Sequence, residues 1–558
     1  MGKRFLVTAG LPYSNGRLHV GHIGGAYLPA DIFVRYQRAT GADVRFICGS
    51  DDNGVAIEIS AMQAGVSPQE ICTRYHEGQK RDFAGLRIDF DVYGGTHQPH
   101  YRETHERFSQ AFFTTIYDKG YFTKRTTRQL FDAKANRFLP DRYVKGTCHH
   151  CGTPGANGDQ CEACGKMIDP LLLKDPISTI SGEPAEARET THWHLKLADF
   201  EKPLRDWLES KQDQWRSSVL NFALGQIKQG LPERAMTRDI SWGVPVPLDD
   251  PEAKGKVLFV WFDAPIGYIS FTAQLCHDQG GDAAGYEKWW RDPETKIIHF
   301  IGEDNTVFHA LIWPAMLMAE GQHQLPDNVV ANNFINFRID GEEAKVSKSK
   351  TAAESPVWIE EFLKRYSPDA LRYYLTAIAP ETSRTAFDFN DFVARNNNEL
   401  VATFGNFVNR TLQFVAKYLD GNIPEGGGAN DADRAHLAAG DAALKRVGEL
   451  IETHRYRAAL EEMMGYARAC NQHFGAREPW RLRKEDLADC NAAIATCVRA
   501  VQYLAVLCAP FMPSAAERIA QCLGTADAAT ALKWAAPEPL PAGHALREPQ
   551  ILFERLDA

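Results

Sequence analysis

No stretch of this 558-residue chain reads as a membrane span, and the N-terminus lacks the basic, apolar and small-residue zones of a secretory leader. It is also too poor in serine and arginine for an organelle-targeting segment. A soluble, cytoplasmic protein is expected. Positive charge is in deficit: 62 Lys and Arg face 72 Asp and Glu, a net charge of −10. Bulk electrostatics therefore do not favour nucleic acid, and any such partner must meet a local basic patch. The 12 cysteines form no disulfide pattern. Cys470, Cys490, Cys497 and Cys508 stand in apolar helical text, where a free thiol acts as a small buried hydrophobe. No internal repeat is present. Nor does a Gly-x-Gly-x-x-Gly fingerprint follow the first apolar stretch, Phe5-Leu6-Val7, where nucleotide-binding chains usually place one.

What is present is a chain long enough for several domains, 44% hydrophobic. Residues 4–9 read as a strand, followed by a helix from about Gly21 to Arg38 and a second strand at 43–49. Ser67-Pro68-Gln69-Glu70 is a helix start. This βαβ opening gives way, from roughly 120 to 245, to short strands, turns and a cysteine cluster. Buried strands resume at 256–264 and 296–304, and nearly everything from Phe389 to about 522 has helical spacing. The expected fold is α/β: a Rossmann-like parallel-sheet catalytic domain with a zinc-knuckle insertion and a C-terminal α-helical bundle. The expected divisions are 1–116 and 251–325 for the two halves of the catalytic domain, and 117–250 for the insertion. A further region takes 326–390 and the helical domain 391–558.

In place of the glycine fingerprint stands "GLPYSNGRLHVGHIGG", residues 10–25. A helix N-terminus offers unpaired N–H groups and partial positive charge, a natural phosphate site. Asn15, His19 and His22 can add side-chain donors, which matter most where charge builds on phosphate during a reaction. A second basic element, Lys345-Val346-Ser347-Lys348-Ser349, follows a turn between two short strands. Either alone fits an ordinary surface turn or a solvated lysine loop. In this order, around an interrupted α/β sheet, they resemble the HIGH and KMSKS signatures of class I aminoacyl-tRNA synthetases, each departing at its second position.

The resemblance sharpens to the methionyl-tRNA synthetase family over "TAGLPYSNGRLHVGHIGG", "DVRFICGSDDNG", "RFLPDRYVKGTC", "ISWGVP", "VWFDAPIGY", "HFIGEDN" and "DALRYYLTA". It implies ATP-dependent activation of L-methionine and transfer to tRNA(Met), initiator tRNA included. It implies that His19, His22, Lys345 and Lys348 are catalytic. ATP would be held by Asn15, His19, His22, Gly302, Asp304 and Lys348, with Mg²⁺. Leu11, Tyr13, Trp261, Ala264, Pro265, Tyr268 and His309 would surround the methionine side chain. Asp51 would bind the α-ammonium and Arg238 would organise the substrate's polar end. Asn53 and Asn305 depart from residues common at these places. The competing readings are another class I synthetase or a catalytically inactive tRNA-binding relative.

Cys148-x₂-Cys151 and Cys161-x₂-Cys164 match a closed, structural Cys₄ zinc site. Redox-active Cys-x-x-C is the alternative, and His149 and His150 are further candidate ligands. Near the far end, Arg477, Arg481, Arg483 and Lys484 surround Trp480, a setting suited to stacking on an unpaired base. The resemblance places Trp480, Asn406 and Arg410 on the anticodon. Some family members add a C-terminal dimerisation domain, and a monomer is expected here.

Overall fold

A computed structural model describes residues 3–557 except 140–142, 159–160, 162, 165–167, 340–341, 345–354, 356, 426–428 and 526–532. Five short runs rich in β-branched and aromatic residues form strands covered on both faces, as parallel sheets require. They are β1 (Arg4–Ala9), β2 (Asp43–Ser50), β3 (Val92–Gly95), β4 (Thr295–Gly302) and β5 (Asn328–Asn332). All pair in parallel, in the order β5-β4-β1-β2-β3. The winding reverses between β1 and β4, and their carboxyl ends open a crevice at that switch point. β5 closes one edge of the sheet by pairing with β4.

Between β3 and β4 the chain leaves the sheet. A long antiparallel pair, Phe122–Asp132 with Glu186–Leu195, carries the insertion. At its tip, Val144–Thr147 pairs with Ala156–Asn157 and Lys174–Ser178. This tip has its own small core of Leu130, Leu139, Tyr143, Val144, Cys148, Cys161, Ile168 and Leu173.

Three expectations need correction. Residues 256–264 are not one strand: only Val257–Leu258 is extended, and a helix runs Val260–Asp278. The run is apolar because this helix is buried on nearly all sides, and periodicity cannot separate that case from a buried strand. The first helix is not continuous: the turn Val20–His22 passes into a wider π-type turn, Ile23–Tyr27, before Leu28–Ala39. A membrane-length apolar helix does exist, Leu487–Cys508, and it is mostly buried inside the C-terminal bundle.

The bundle packs Asn406–Tyr418, Asp431–Glu452, Tyr456–Arg477, Leu487–Cys508 and Pro513–Cys522 into a core shared with the catalytic sheet. Cys470, Cys490, Cys497 and Cys508 are buried there. One polar staple ties the parts together. Arg372, fully buried, pairs with buried Asp31 at 2.7 Å and donates to the carbonyls of Pro510 (2.8 Å), Phe511 (2.9 Å) and Leu86 (3.2 Å). Arg35 also pairs with Asp31, at 2.8 Å, so losing Arg372 leaves that carboxylate paired but takes the donor from the carbonyls of Leu86, Pro510 and Phe511. Arg372→Met should therefore cost about 3 kcal/mol, read as a lower urea midpoint. Arg38→Met, which breaks the partly exposed pair with Asp91, should cost under about 1 kcal/mol.

Candidate active site

The histidine turn sits where β1 delivers the chain to the switch point. His19 caps the turn Val20–His22: its Nδ1 accepts from Gly21 N (3.1 Å), while His22 Nδ1 accepts from the N–H of His19 itself (3.2 Å). Because both Nδ1 atoms accept, both rings carry their proton on Nε2. The rings stack at 3.6 Å, so two N–H donors stand side by side at a helix start. Gly21 is required: a Cβ there would lie 2.9 Å from the His19 ring and 3.2 Å from the Ile335 carbonyl.

The lysine loop, Lys345–Ser349, lies outside the described residues. Its flanks do not. On one side Ile335–Ile339 pairs with Glu342–Ala344. On the other, Val20 N bonds the carbonyl of Val357 (3.0 Å), Ile359 N bonds that of Leu18 (3.2 Å), and Trp358 bridges to His19.

Both imidazoles open into a cavity of about 360 Å³. Its wall also includes Leu11, Tyr13, Asp51, Trp261, Ala264, Pro265, Tyr268, Gly302, Asp304 and His309. These come from the loops after β1, β2 and β4 and from the helix Val260–Asp278. Trp261 meets Tyr13 edge-on (6.3 Å) and stacks on Phe308 (3.9 Å). His309 stands in a second π-type turn, Phe308–Ile312. It takes a hydrogen bond from the Tyr268 hydroxyl (3.0 Å) and donates from Nδ1 to Asn305 O (3.2 Å). Burial pushes it down to about 4, so the ring is neutral. Gly302 ends β4, and a Cβ on it would lie 2.8 Å from Asp304 Oδ1. Burial holds the Asp304 carboxyl above its ordinary range.

Two expected site residues are not part of this wall. Arg238 lies in the two-residue strand Thr237–Arg238, its guanidinium 3.8 Å over the Phe259 ring and donating to the carbonyls of Ala235 and Thr237. Asn15 Nδ2 bonds Ala56 O (3.3 Å). Phe308 and Ile335, by contrast, line the cavity and were not singled out by the sequence.

Beneath the wall lies a polar layer of which the sequence reading named only Asp51 and Asn53. Asp51, Asp52 and Asp263 are all buried, and none forms an ion pair with Lys or Arg among the described residues. Asp263 accepts from Asn53 Nδ2 (2.7 Å) and pairs with buried His105 (3.3 Å), while Asn53 Oδ1 faces His97 Nδ1 (2.9 Å). Burial first, then the charges of Asp263 and Asp52, hold Asp51 well above the usual carboxylate range. Burial likewise raises Asp52 and Asp263. Such a site is organised to receive a cation.

The sulfur atoms of Cys148, Cys151, Cys161 and Cys164 all lie within 4.8 Å of one another, with pairs at 4.0 Å and 3.7 Å. Tetrahedral zinc with bonds of ~2.3 Å has an S–S edge of ~3.8 Å, so the set fits a metal ion. Hydrogen bonds to Thr153 pull Cys151 down to about 6, toward the thiolate a metal needs. This tip is joined to the polar layer through buried Glu58. Its carboxylate accepts from Arg137 (2.6 Å), Tyr143 (2.7 Å), Ser241 Oγ (3.0 Å) and Trp242 N (3.1 Å). Trp242 in turn donates to Asp52 O (2.6 Å) and stacks on His97 (3.9 Å).

In the bundle, Trp480 is 45% exposed. The cation over its ring is Arg410, at 6.0 Å, not the arginines next to it in sequence. Arg477 is held by Asp433 and Asp489, and Arg481 by Glu478 and Glu485. Asn406 follows a third π-type turn, Asn396–Gly405, and bonds Asn471 (3.2 Å).

Comparison with known proteins matches residues 5–412 to the family described as tRNA synthetases class I (M). Residues 423–558 match the anticodon binding domain of methionyl tRNA ligase. The methionine–tRNA ligase of Porphyromonas gingivalis W83 is 44% identical over 557 residues, covering 100% of this chain and 79% of that protein. That of Pyrococcus furiosus is 43% identical, covering 99% and 75%. Among solved structures, Mycobacterium tuberculosis methionyl-tRNA synthetase bound by methionyl-adenylate aligns with a TM-score of 0.79 at 25% identity, covering 99% of this chain and 100% of that one.

The buried carboxylates carry a stability cost. A carboxyl whose pKa is raised in the folded state binds more protons folded than unfolded. Stability is therefore lost as pH rises from the ordinary carboxylate range through the raised value, and the loss is complete above it. Asp263→Asn removes that loss. Without any ligand the variant should gain about 1–2 kcal/mol at pH 8, and the gain should shrink toward pH 4. Thermal midpoints across pH measure it, and a variant less stable than the parent at pH 8 would refute the electrostatic account.

Proposed function

The chain belongs to the class I tRNA synthetases of the methionine type, and from that premise we propose that it activates L-methionine with ATP and transfers the methionyl group to the 3′ end of tRNA(Met), initiator tRNA included. One observation carries the site assignment: a single cavity at the switch point joins an aromatic box, a buried cation hole and two adjacent imidazole donors. The reaction belongs with translation, and a cytoplasmic location is assigned on that ground.

The thioether enters among Leu11, Tyr13, Trp261, Ala264, Pro265, Tyr268 and Phe308, where sulfur–aromatic contacts are favourable. Neutral His309 closes the end. The α-ammonium meets Asp51, with the Asp263 charge behind it. The methionine carboxylate is already ionised and attacks the α-phosphate in line, so no general base is needed. His19 and His22 donate from Nε2 to phosphate oxygens as charge builds there. Gly302 and Asp304 take the ribose. Lys345 and Lys348 take the departing pyrophosphate. Mg²⁺ bound with ATP supplies further neutralisation of the triphosphate. Arg238 and Asn15 receive no substrate contact in this assignment. Asn406, Arg410 and Trp480 read the anticodon.

Pyrophosphate exchange into ATP tests the reading. Methionine alone among the twenty amino acids should support it, and His19→Ala or His22→Ala should each slow it by about 10²–10³-fold. Exchange with a different amino acid, or none, overturns the proposal.

Cys148, Cys151, Cys161 and Cys164 would hold one structural Zn²⁺, which closes the tip of the insertion. Cys151→Ser should lose the zinc, read by metal content. Glu58→Gln should keep the zinc yet raise the methionine KM about tenfold, the scale of one lost charged hydrogen bond, ~1.5–3 kcal/mol. Unchanged KM in the second variant would break the link between insertion and pocket.

A further inference from the structure

The surface around Trp480 extends further than the anticodon residues already assigned. Arg483, one turn after Trp480 on the helix Pro479–Glu485, lays its guanidinium 4.1 Å over the ring of Tyr418. Tyr418 is the last residue of the helix Asn406–Tyr418, which also carries Asn406 and Arg410. Two cross-helix arginine–aromatic contacts thus follow one another: Arg410, 4.5 Å over Phe474 and 6.0 Å from Trp480, then Arg483 over Tyr418. They are separated by about 5 Å along the short helix and about 12 Å along the long one.

Both rings are among the exposed large hydrophobic side chains, Tyr418 at 37%. An exposed aromatic with a cation on it is not explained by core packing. The charge pattern points the same way. Of the three arginines in the 477–483 stretch, Arg477 and Arg481 are neutralised by carboxylates, whereas Arg483 and the facing Arg410 form no ion pair among the described residues. On a chain of net charge −10, two adjacent unneutralised arginines on aromatic supports make a local positive ledge. Lys417, 5.2 Å from the Tyr418 ring, adds to it. A guanidinium seated over a ring still offers a face for stacking and N–H groups for a phosphate.

We propose that Arg483 and Tyr418 form a second single-stranded RNA subsite, for the nucleotide of the anticodon loop next to the one stacked on Trp480. Arg483 bonds that nucleotide's phosphate and offers its plane to the base, and Tyr418 positions the guanidinium. The proposal rests on the anticodon reading of Trp480, and the test separates the two.

Binding of tRNA(Met) to the full-length chain is measured across salt for Arg483→Ala, Tyr418→Ala, Tyr418→Phe and Trp480→Ala, with thermal midpoints as the check on folding. Arg446→Ala, on an exposed intrahelical pair with Glu449, is the control. Arg483→Ala should weaken binding about tenfold and flatten the log–log salt slope by about 0.7, one phosphate contact to a single strand. Tyr418→Ala should weaken binding several-fold and Tyr418→Phe should restore it. If Arg483→Ala and Tyr418→Ala bind as the parent does while Trp480→Ala loses tenfold or more, the second subsite is overturned and the anticodon reading stands. If Trp480→Ala also binds as the parent does, the anticodon reading itself fails.

Discussion

The buried negative charge around Asp51 is the constraint on which the cleft depends. Three carboxylates share a region where no Lys or Arg pairs with any of them among the described residues, and His105 is the one imidazole set against Asp263. In a folded protein such groups either take up protons or await a cation. The molecule spends several neutral donors on them instead: Asn53 on Asp263, Gln98 (3.0 Å) and the His97 N–H (3.1 Å) on Asp52. Neutral donors fix the position of a carboxylate without cancelling its charge. On the proposed reading, an amino acid's ammonium entering the cleft would meet an unspent field in a low-dielectric setting, where each charge–charge contact counts for more than in water. The same field works against folding, which is why it is confined to the one place where a ligand relieves it.

Holding that field in place explains the architecture of the insertion. Glu58 lies on the helix just after Asp51–Asn53, yet its partners Arg137 and Tyr143 come from the base of the cysteine tip and Ser241 and Trp242 from the return segment. One buried carboxylate thus receives both the outgoing and returning chain. Trp242 carries the restraint onward, through its indole N–H to the Asp52 carbonyl and its ring to His97. A metal ion that orders the tip therefore acts on the amino-acid cavity through covalent and hydrogen-bonded neighbours rather than by touching substrate. The closed sulfur set, with no open position, suits that indirect role.

The sequence made legible whatever is local. The Ser67 cap with Pro68, the strand at 43–49, the strand at 296–304 up to Gly302, the cysteine spacing and the imidazole pair at a helix start are all settled within a few residues, and the structure places them there. What stayed hidden depends on residues far apart in the chain. Asp263 reaches Asn53 across 210 positions, and nothing at either end announces it. Trp261 was read on a strand because a helix buried on nearly all sides along its first turns has no polar face to set its period. The arginines beside Trp480 looked like its cations, but their charges are satisfied by Asp433, Asp489, Glu478 and Glu485, most of them one turn or another helix away. Sequence proximity gives composition, whereas pairing is decided by helix faces.

The two ends of the molecule must also keep a fixed relation, since one tRNA has to reach the bundle and the cleft together. The contacts support rigidity over hinging. The bundle and the sheet share one continuous apolar core that runs from Phe5 and Phe33 to Val447, Leu504 and Ile519. Within it Arg372 joins Asp31, on the helix that leaves the histidine turn, to the carbonyls of residues 510 and 511. An ion pair in such a core adds little net stability against an apolar substitute, but its geometry is directional where apolar contact is not. It fixes the angle at which the bundle meets the catalytic sheet. A hinge here would have to break that pair and expose apolar core at once, so motion in this enzyme is better sought in loops at the mouth of the cleft than between its domains.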